Sequence, residues 1–101
     1  MSHLHALFVI GAAHPSLAGH FPGAPVVPGV VVLDQVIGLL ESSAAFEGAR
    51  LDLPQVKFVE PLLPGEVASI DIDIDGDRAR FRVQRSGSPI ANGSLHWHRP
   101  S

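Results

Sequence analysis

The chain has 101 residues, 46% of them apolar and 17% charged, with a formal net charge of −3 and no cysteine. That length is one domain, expected to span 1–101, and domains this small often gain stability by oligomerising. The composition excludes a disulfide frame, thiolate chemistry and a cysteine zinc site, and the charge gives no electrostatic reason to expect nucleic acid. No uninterrupted apolar stretch reaches the roughly 18 residues that span a membrane. Met1-Ser2-His3-Leu4-His5 lacks the basic start and apolar core of a signal peptide, so the expected location is cytoplasmic.

In chain order, residues 6–10 read as a short strand closed by Gly11. Residues 14–29 are too rich in proline and glycine for regular structure. Residues 30–46 begin with three valines, which favour a strand. The stretch from Pro28 to Gly48 carries no turn signal, however, and its length favours a helix with Pro-Gly before it and Gly48 at the C′ position. Apolar residues surround its first turns, broken only by Asp34 and Gln35, as in a buried helix.

Residues 51–59 predict a strand, followed by a turn at Pro61-Leu62-Leu63-Pro64-Gly65. Residues 67–75 alternate, with Ile70, Ile72 and Ile74 on one face and Asp71, Asp73 and Asp75 on the other. Arg78, Arg80 and Arg82 alternate with Ala79, Phe81 and Val83 in the next strand, and residues 90–97 alternate less cleanly. Placing both charge rows on one face of this hairpin requires an even loop. A Gly76-Asp77 loop opposes Asp75 to Arg78, Asp73 to Arg80 and Asp71 to Arg82. An Asp75-Gly76 loop suits a type I′ turn but opposes only Asp73 to Arg78 and Asp71 to Arg80. Charge matching favours the first. The expected fold class is α+β, an antiparallel β-sheet wrapped around one long central helix.

The densest signal is Gly19-His20-Phe21-Pro22-Gly23-Ala24-Pro25-Val26-Val27-Pro28-Gly29-Val30-Val31-Val32-Leu33-Asp34. A stiff, otherwise apolar run carries one imidazole and one carboxylate. It resembles the active-site segment of the 3-hydroxyacyl-thioester dehydratases, the FabZ/FabA-like hotdog proteins. These read His-Phe-Pro-Gly-x-Pro-(Val/Leu)-(Met/Val)-Pro-Gly-Val and then an acidic residue at the spacing of Asp34, an ungapped agreement at about ten positions. Val56-Lys57-Phe58-Val59-Glu60-Pro61-Leu62-Leu63-Pro64-Gly65-Glu66 is similar to the same family's Lys/Arg-Phe-x-x-Pro-Val-x-Pro-Gly-Asp segment. The chain is shorter than typical FabZ or FabA proteins and in this resembles the compact ApeI-like relatives of aryl-polyene and secondary-lipid pathways.

The resemblance implies the hotdog fold and dehydration of a 3-hydroxyacyl thioester on acyl carrier protein to the trans-2-enoyl thioester. The setting would be fatty acid, aryl polyene or polyketide-type biosynthesis. It implies no metal and no other cofactor. It also implies a homodimer or higher even oligomer whose active sites are shared, His20 of one chain working with Asp34 of another. Such a reaction needs a base at C2, an acid or water-orienting group at the C3 oxygen, and a donor to the thioester carbonyl. His20 suits the base, because imidazole titrates near neutrality, and Asp34 suits the acid. The backbone N–H of Gly29 or Val30, at a helix start, suits the carbonyl oxygen, and the family's corresponding glycine has that role. Phe21, Pro22, Gly23, Val26 and Pro28 would shape the loop and orient His20. The family further suggests a cis bond between His20 and Phe21 and a bond from a His20 ring nitrogen to the Val26 carbonyl.

Each residue has a plainer reading. Asp34 also suits an acid near a helix N-terminus; burial there disfavours the carboxylate while the helix dipole favours it. Gly23 and Gly29 also suit turns, Phe21 suits the core, and His14, before a proline, suits loop shaping. His3 with His5, and His96 with His98, form two His-x-His pairs that on strands would each face one way, without a third-ligand pattern for a metal. The chain departs from the family at Gly38, where many members carry glutamine, and in having no tyrosine to gate an acyl tunnel. Its acid is aspartate, as in FabA-like proteins. Two alternatives stand beside the dehydratase: a hotdog thioesterase, and a non-catalytic subunit that binds acyl carrier protein or completes a heterodimer.

Overall fold

The computed structural model describes residues 2–11, 26–43 and 50–98; at positions 50, 53 and 54 only the backbone is considered. Five strands and one helix follow in the order β1 (Ser2–Phe8), α1 (Gly29–Glu41), β2 (Arg50–Phe58), β3 (Ala68–Asp75), β4 (Arg78–Arg85) and β5 (Ser88–His98). All strand pairings are antiparallel, and the sheet order is β1-β3-β4-β5-β2. The predicted α+β architecture is observed. Among the described residues no helix is long and apolar enough to cross a membrane.

The inner face of the sheet carries Ile70, Ile72 and Ile74 of β3, Ala79, Phe81 and Val83 of β4, and Ala91, Leu95 and Trp97 of β5. Val31, Val32, Val36 and Leu40 of α1 join the same buried cluster. The burial available there outweighs the strand preference of the valine run. α1 ends at Glu41, earlier than the expected 46. The Ser42 N–H donates to Gly38 and Leu39 carbonyls, its hydroxyl donates to the Leu39 carbonyl, and the Ser43 N–H donates to Leu40. Serines that bond the preceding turn in this way stop a helix. The expectation of burial on every side also needs correction. Val30 is 65% exposed, and Asp34, Gly38 and Glu41 along the same flank are open in the single chain.

The hairpin register is the one that matches charge. Asp75 opposes Arg78, Asp73 opposes Arg80 and Asp71 opposes Arg82 across a Gly76-Asp77 loop. Gly76 has φ +64° while Asp77 is not in the positive-φ region, as a type II′ turn requires, so turn chemistry and charge matching agree. The direct ion pairs differ from the register. Arg82 approaches Asp73 diagonally at 3.9 Å, and Asp71 and Asp73 turn instead toward β1. The irregular alternation of β5 has a cause as well: a bulge opposite Val83 and Gln84 leaves Ile90 unopposed in the ladder, and Ile90 is buried.

β1 begins at Ser2, earlier than expected, and places His3 and His5 opposite Asp73 and Asp71. His3 Nδ1 donates to Asp73 at 2.6 Å and Nε2 to Asp71 at 3.0 Å, which a single ring does only as the imidazolium; His5 Nδ1 donates to Asp71 at 3.0 Å. The Asp73 bond is the main cause holding the His3 ring above its ordinary 6.5, and the His5 bond is the main cause holding Asp71 below its ordinary 3.8. The His3 contribution to stability is complete below 6.5 and lost as pH rises through the raised value; that of Asp71 is complete above 3.8 and lost as pH falls through the lowered value. Both are present together from 3.8 to 6.5. His3→Gln should therefore lower the melting temperature more at about pH 5.5 than at alkaline pH, where the ring is neutral in both folded and unfolded states. Equal losses at the two pH values would show that the pairing does not depend on charge.

Candidate functional site

Pro28 is the N-cap of α1, with φ −59° and ψ 144°, and offers no side-chain cap. Its carbonyl accepts the N–H groups of Val31 and Val32 at 3.0 and 3.3 Å. The N–H groups of Gly29 and Val30 find no acceptor among the described residues, the usual condition of a helix start that no side chain caps. These are the two donors expected for a thioester carbonyl.

Gly29 is there for a steric reason. A Cβ on it would stand 2.7 Å from Cζ of Phe58 and 3.0 and 3.1 Å from its two Cε atoms. The tip of the ring rests on the helix start, and Phe58 is itself 49% exposed at the end of the edge strand β2. Gly29 and Phe58 line a hollow of 260 Å³ together with Val27, Val32, Glu60 and Leu62. The Gly29–Phe58 contact was not read from the sequence, although both residues stand in the two conserved-looking segments; their pairing across the fold gave no local signal.

Asp34 is the sixth residue of α1, about 7.5 Å along the axis from Gly29 at 1.5 Å per residue. It lies beyond the first turn, where a carboxylate would cap free N–H groups, so the plain N-terminal reading does not hold. Asp34 is exposed and has no hydrogen-bond partner among the described residues. It lines a cleft of 380 Å³ between α1 and β1 with Gln35, Gly38, Leu39, Ser42 and Phe8. Gln35, beside Asp34 in sequence, borders the same cleft, and a Cβ at Gly38 would meet nothing within 4 Å. The Gly29 hollow and the Asp34 cleft share no lining residue. Among the described residues of one chain, then, the helix start and the carboxylate face different spaces.

His20, Phe21, Pro22 and Gly23 lie outside the described residues, as do the His20–Phe21 peptide bond and the bond to the Val26 carbonyl. Among the described residues no group of three His, Cys, Asp or Glu side chains is placed to hold a metal ion. The His-x-His pairs are engaged by carboxylates: His3 and His5 as above, His96 with Asp77 at 3.5 Å and His98 with Asp52 at 3.0 Å. A larger hollow of 560 Å³ is lined by Asp73, Arg78, Arg80 and His96 together with Ile74, Ala79 and Leu95, and by no residue of α1.

A five-stranded antiparallel sheet packed on one helix is the hotdog arrangement. The family model described as ApeI dehydratase matches residues 2–94, and the chain belongs to this ApeI-like family. The 3-hydroxyacyl-[acyl-carrier-protein] dehydratase FabZ of Haemophilus influenzae (strain PittEE) is 30% identical over 100 residues, covering 91% of this chain and 67% of the relative. Among solved structures, the dehydratase heterocomplex ApeI:P from Xenorhabdus doucetiae superposes with a TM-score of 0.85 at 25% identity, over 96% of this chain and 88% of that one. The fluoroacetyl-CoA thioesterase FlK superposes at a TM-score of 0.66 and 15% identity, over 96% of this chain and 85% of that one, a likeness of fold alone.

The Gly29–Phe58 contact makes a prediction whose sign depends on context. The ring tip is the movable end of a half-exposed side chain, so Gly29→Ala should push it aside and cost about 1 kcal/mol rather than unfold the protein. In a Phe58→Ala background the cost should vanish or reverse, because alanine is a better helix former than glycine by up to about 1 kcal/mol. Urea unfolding of the four proteins measures this coupling. The same cost in both backgrounds would mean that the ring is not what the glycine accommodates.

Proposed function

We propose that this chain dehydrates a 3-hydroxyacyl thioester carried on acyl carrier protein, giving the trans-2-enoyl thioester and water. The setting is fatty acid, aryl polyene or polyketide-type biosynthesis. Family membership supports the reaction class. The observation that carries the site is α1 itself, whose Gly29 and Val30 amides and exposed Asp34 carboxylate have no partner among the described residues.

The roles follow from the chemistry. The thioester carbonyl oxygen accepts from the Gly29 and Val30 N–H groups, which hold the charge that builds as C2 loses its proton. His20 takes that proton. The C2–H electron pair forms the C2–C3 double bond, and the C3–O bond breaks. Asp34 protonates the departing oxygen, or orients it to receive the proton that His20 has taken, and it leaves as water. Phe21, Pro22, Gly23, Val26 and Pro28 hold the His20-bearing stretch. No metal or other cofactor has a part.

The helix start and Asp34 border separate spaces, which supports a site built from two chains: His20 with Gly29 and Val30 from one, Asp34 from the other. The exposed flank of α1 from Val30 to Gly38 is the surface such a partner would meet. A second copy is the simplest partner. The likeness to a heterocomplex favours a second reading, in which the partner is a related but different subunit. The thioesterase alternative has only a shared fold in its favour.

His20→Ala and Asp34→Asn should each lower turnover by about a hundredfold or more. The two inactive variants, mixed under conditions of subunit exchange, should regain some activity, because one composite site in the mixed dimer has both groups. The assay is purified protein with a 3-hydroxyacyl-carrier thioester, following enoyl product and free acid separately. Near-normal dehydration by folded His20→Ala removes the mechanism; free acid as the product selects the thioesterase. Activity that appears only with a second, different subunit selects the heteromer.

A further inference from the structure

The segment 58–66 after β2 touches the candidate site at three points. Phe58 rests on Gly29. The Leu62 carbonyl accepts the N–H of Val27 at 2.8 Å, two residues before α1 begins, and Leu62 is fully buried. The Gly65 N–H donates to the Ile10 carbonyl at 2.9 Å. Ile10 and Val27, both buried, flank residues 11–26, the stretch whose sequence contains His20. One short segment therefore binds both flanks of that stretch and the first turn of α1.

The segment is tightly folded. Pro64 and Gly65 form a type II turn, with φ +84° at Gly65 and the Glu66 N–H donating to the Leu63 carbonyl at 3.2 Å. Glu66 Oε1 accepts the Leu63 N–H at 2.8 Å. A single side chain from elsewhere grips it. Arg85, at the end of β4, donates from Nη1 to the Pro61 carbonyl and to Glu66 Oε1, both at 3.0 Å, and from Nη2 to Glu60 Oε2 at 3.3 Å. Its own backbone is fixed by the adjoining Ser86-Gly87 turn, with φ 49° and 83°, across which it opposes Ser88. The Arg85 side chain is 25% exposed, against 78% and 58% for Arg78 and Arg82, whose ion pairs are 3.9 Å long. Without the guanidinium, two carboxylates and a carbonyl oxygen would crowd one another unneutralised. A planar fork reaches all three at once, and an ammonium does not.

We propose that Arg85 is a positioning residue for the reaction. It acts through segment 60–66 to fix the start of α1 against the flanks of the His20-bearing stretch, without touching substrate. This rests on the dehydratase reading above. Displacements near 1 Å at reacting groups cost one or two powers of ten in rate, and the segment bonds Ile10 and Val27 and packs on Gly29 at the start of α1.

The test is Arg85→Met, which removes the donors and keeps most of the stem, with Arg85→Lys beside it. Three readouts apply: melting temperature, amide hydrogen exchange, and kcat with KM on a 3-hydroxyacyl-carrier thioester. Arg85→Met should fold with core amides such as Ile72 protected as in wild type. Exchange at Val27 and Gly65 should speed up by about tenfold or more. Turnover should fall about tenfold, with KM within about threefold, and Arg85→Lys should lie between. Unchanged exchange at Val27 and Gly65, or unchanged kcat in the folded variant, would overturn the proposal. If Arg85→Met does not fold, Glu66→Gln weakens the same grip and should move the same readouts less far; no movement there also overturns it. Wild type inert toward the thioester would instead fail the dehydratase reading and the catalytic half of this proposal. The exchange result would then still decide whether Arg85 holds the segment.

Discussion

Burial of one side of α1 against the inner face of the sheet is the interaction on which the rest depends. Val31, Val32, Val36 and Leu40 are within 4% of full burial. At about 1.5–3 kcal/mol for each side chain buried, they contribute an amount comparable to the whole net stability of a small domain. Exposed ion pairs on the outer face act on a smaller scale and are screened by salt. The packing also decides where the chemistry can be. A helix seated by these four residues presents Val30, Asp34 and Gly38 along the flank the sheet leaves open, and its uncapped first turn faces Phe58. The placement of the two amides and of Asp34 is thus a consequence of which side of the helix is greasy.

Much of this was legible in the sequence because it is periodic or local. Alternation in β3 and β4 gave the buried face, and the charge rows gave the hairpin register. The glycine that the type II′ turn needs stands at the loop position that charge matching selects. The helix was legible from its length despite a valine run that favours strand. Its end was misread because Gly48 looked like a stop, while the two serines at 42 and 43 ended it first through bonds to the preceding turn. The start of β1 was missed because His3 and His5 break the apolar run; Leu4 between them packs against the core, and Asp71 and Asp73 stand opposite the histidines.

Less of the candidate site was legible. The motif named the residues, but not that Gly29 and Asp34 border different hollows, which depends on how α1 is rolled against β1 and β2. The second motif was only a likeness until the fold gave it a task. Phe58, Leu62 and Gly65 meet Gly29, Val27 and Ile10, contacts between residues 29 to 55 positions apart that leave no periodic trace. Arg85 was invisible for a related reason. It continues the row of β4 arginines in spacing only loosely, and its three acceptors come from a turn about 20 residues earlier in sequence.

The sheet order β1-β3-β4-β5-β2 has a kinetic consequence. The β3–β4–β5 meander closes through two-residue turns and makes only local contacts, which form quickly. β1 has no partner until β3 exists, and β2 has none until β5 exists. As the chain emerges from the ribosome amino end first, β1 and the greasy helix precede the strands that will cover them. Both wait, uncovered, for residues 68–98 to be made. An amino-terminal fragment would therefore lack the surface that organises it, and its valine-rich run would be the part most exposed to aggregation.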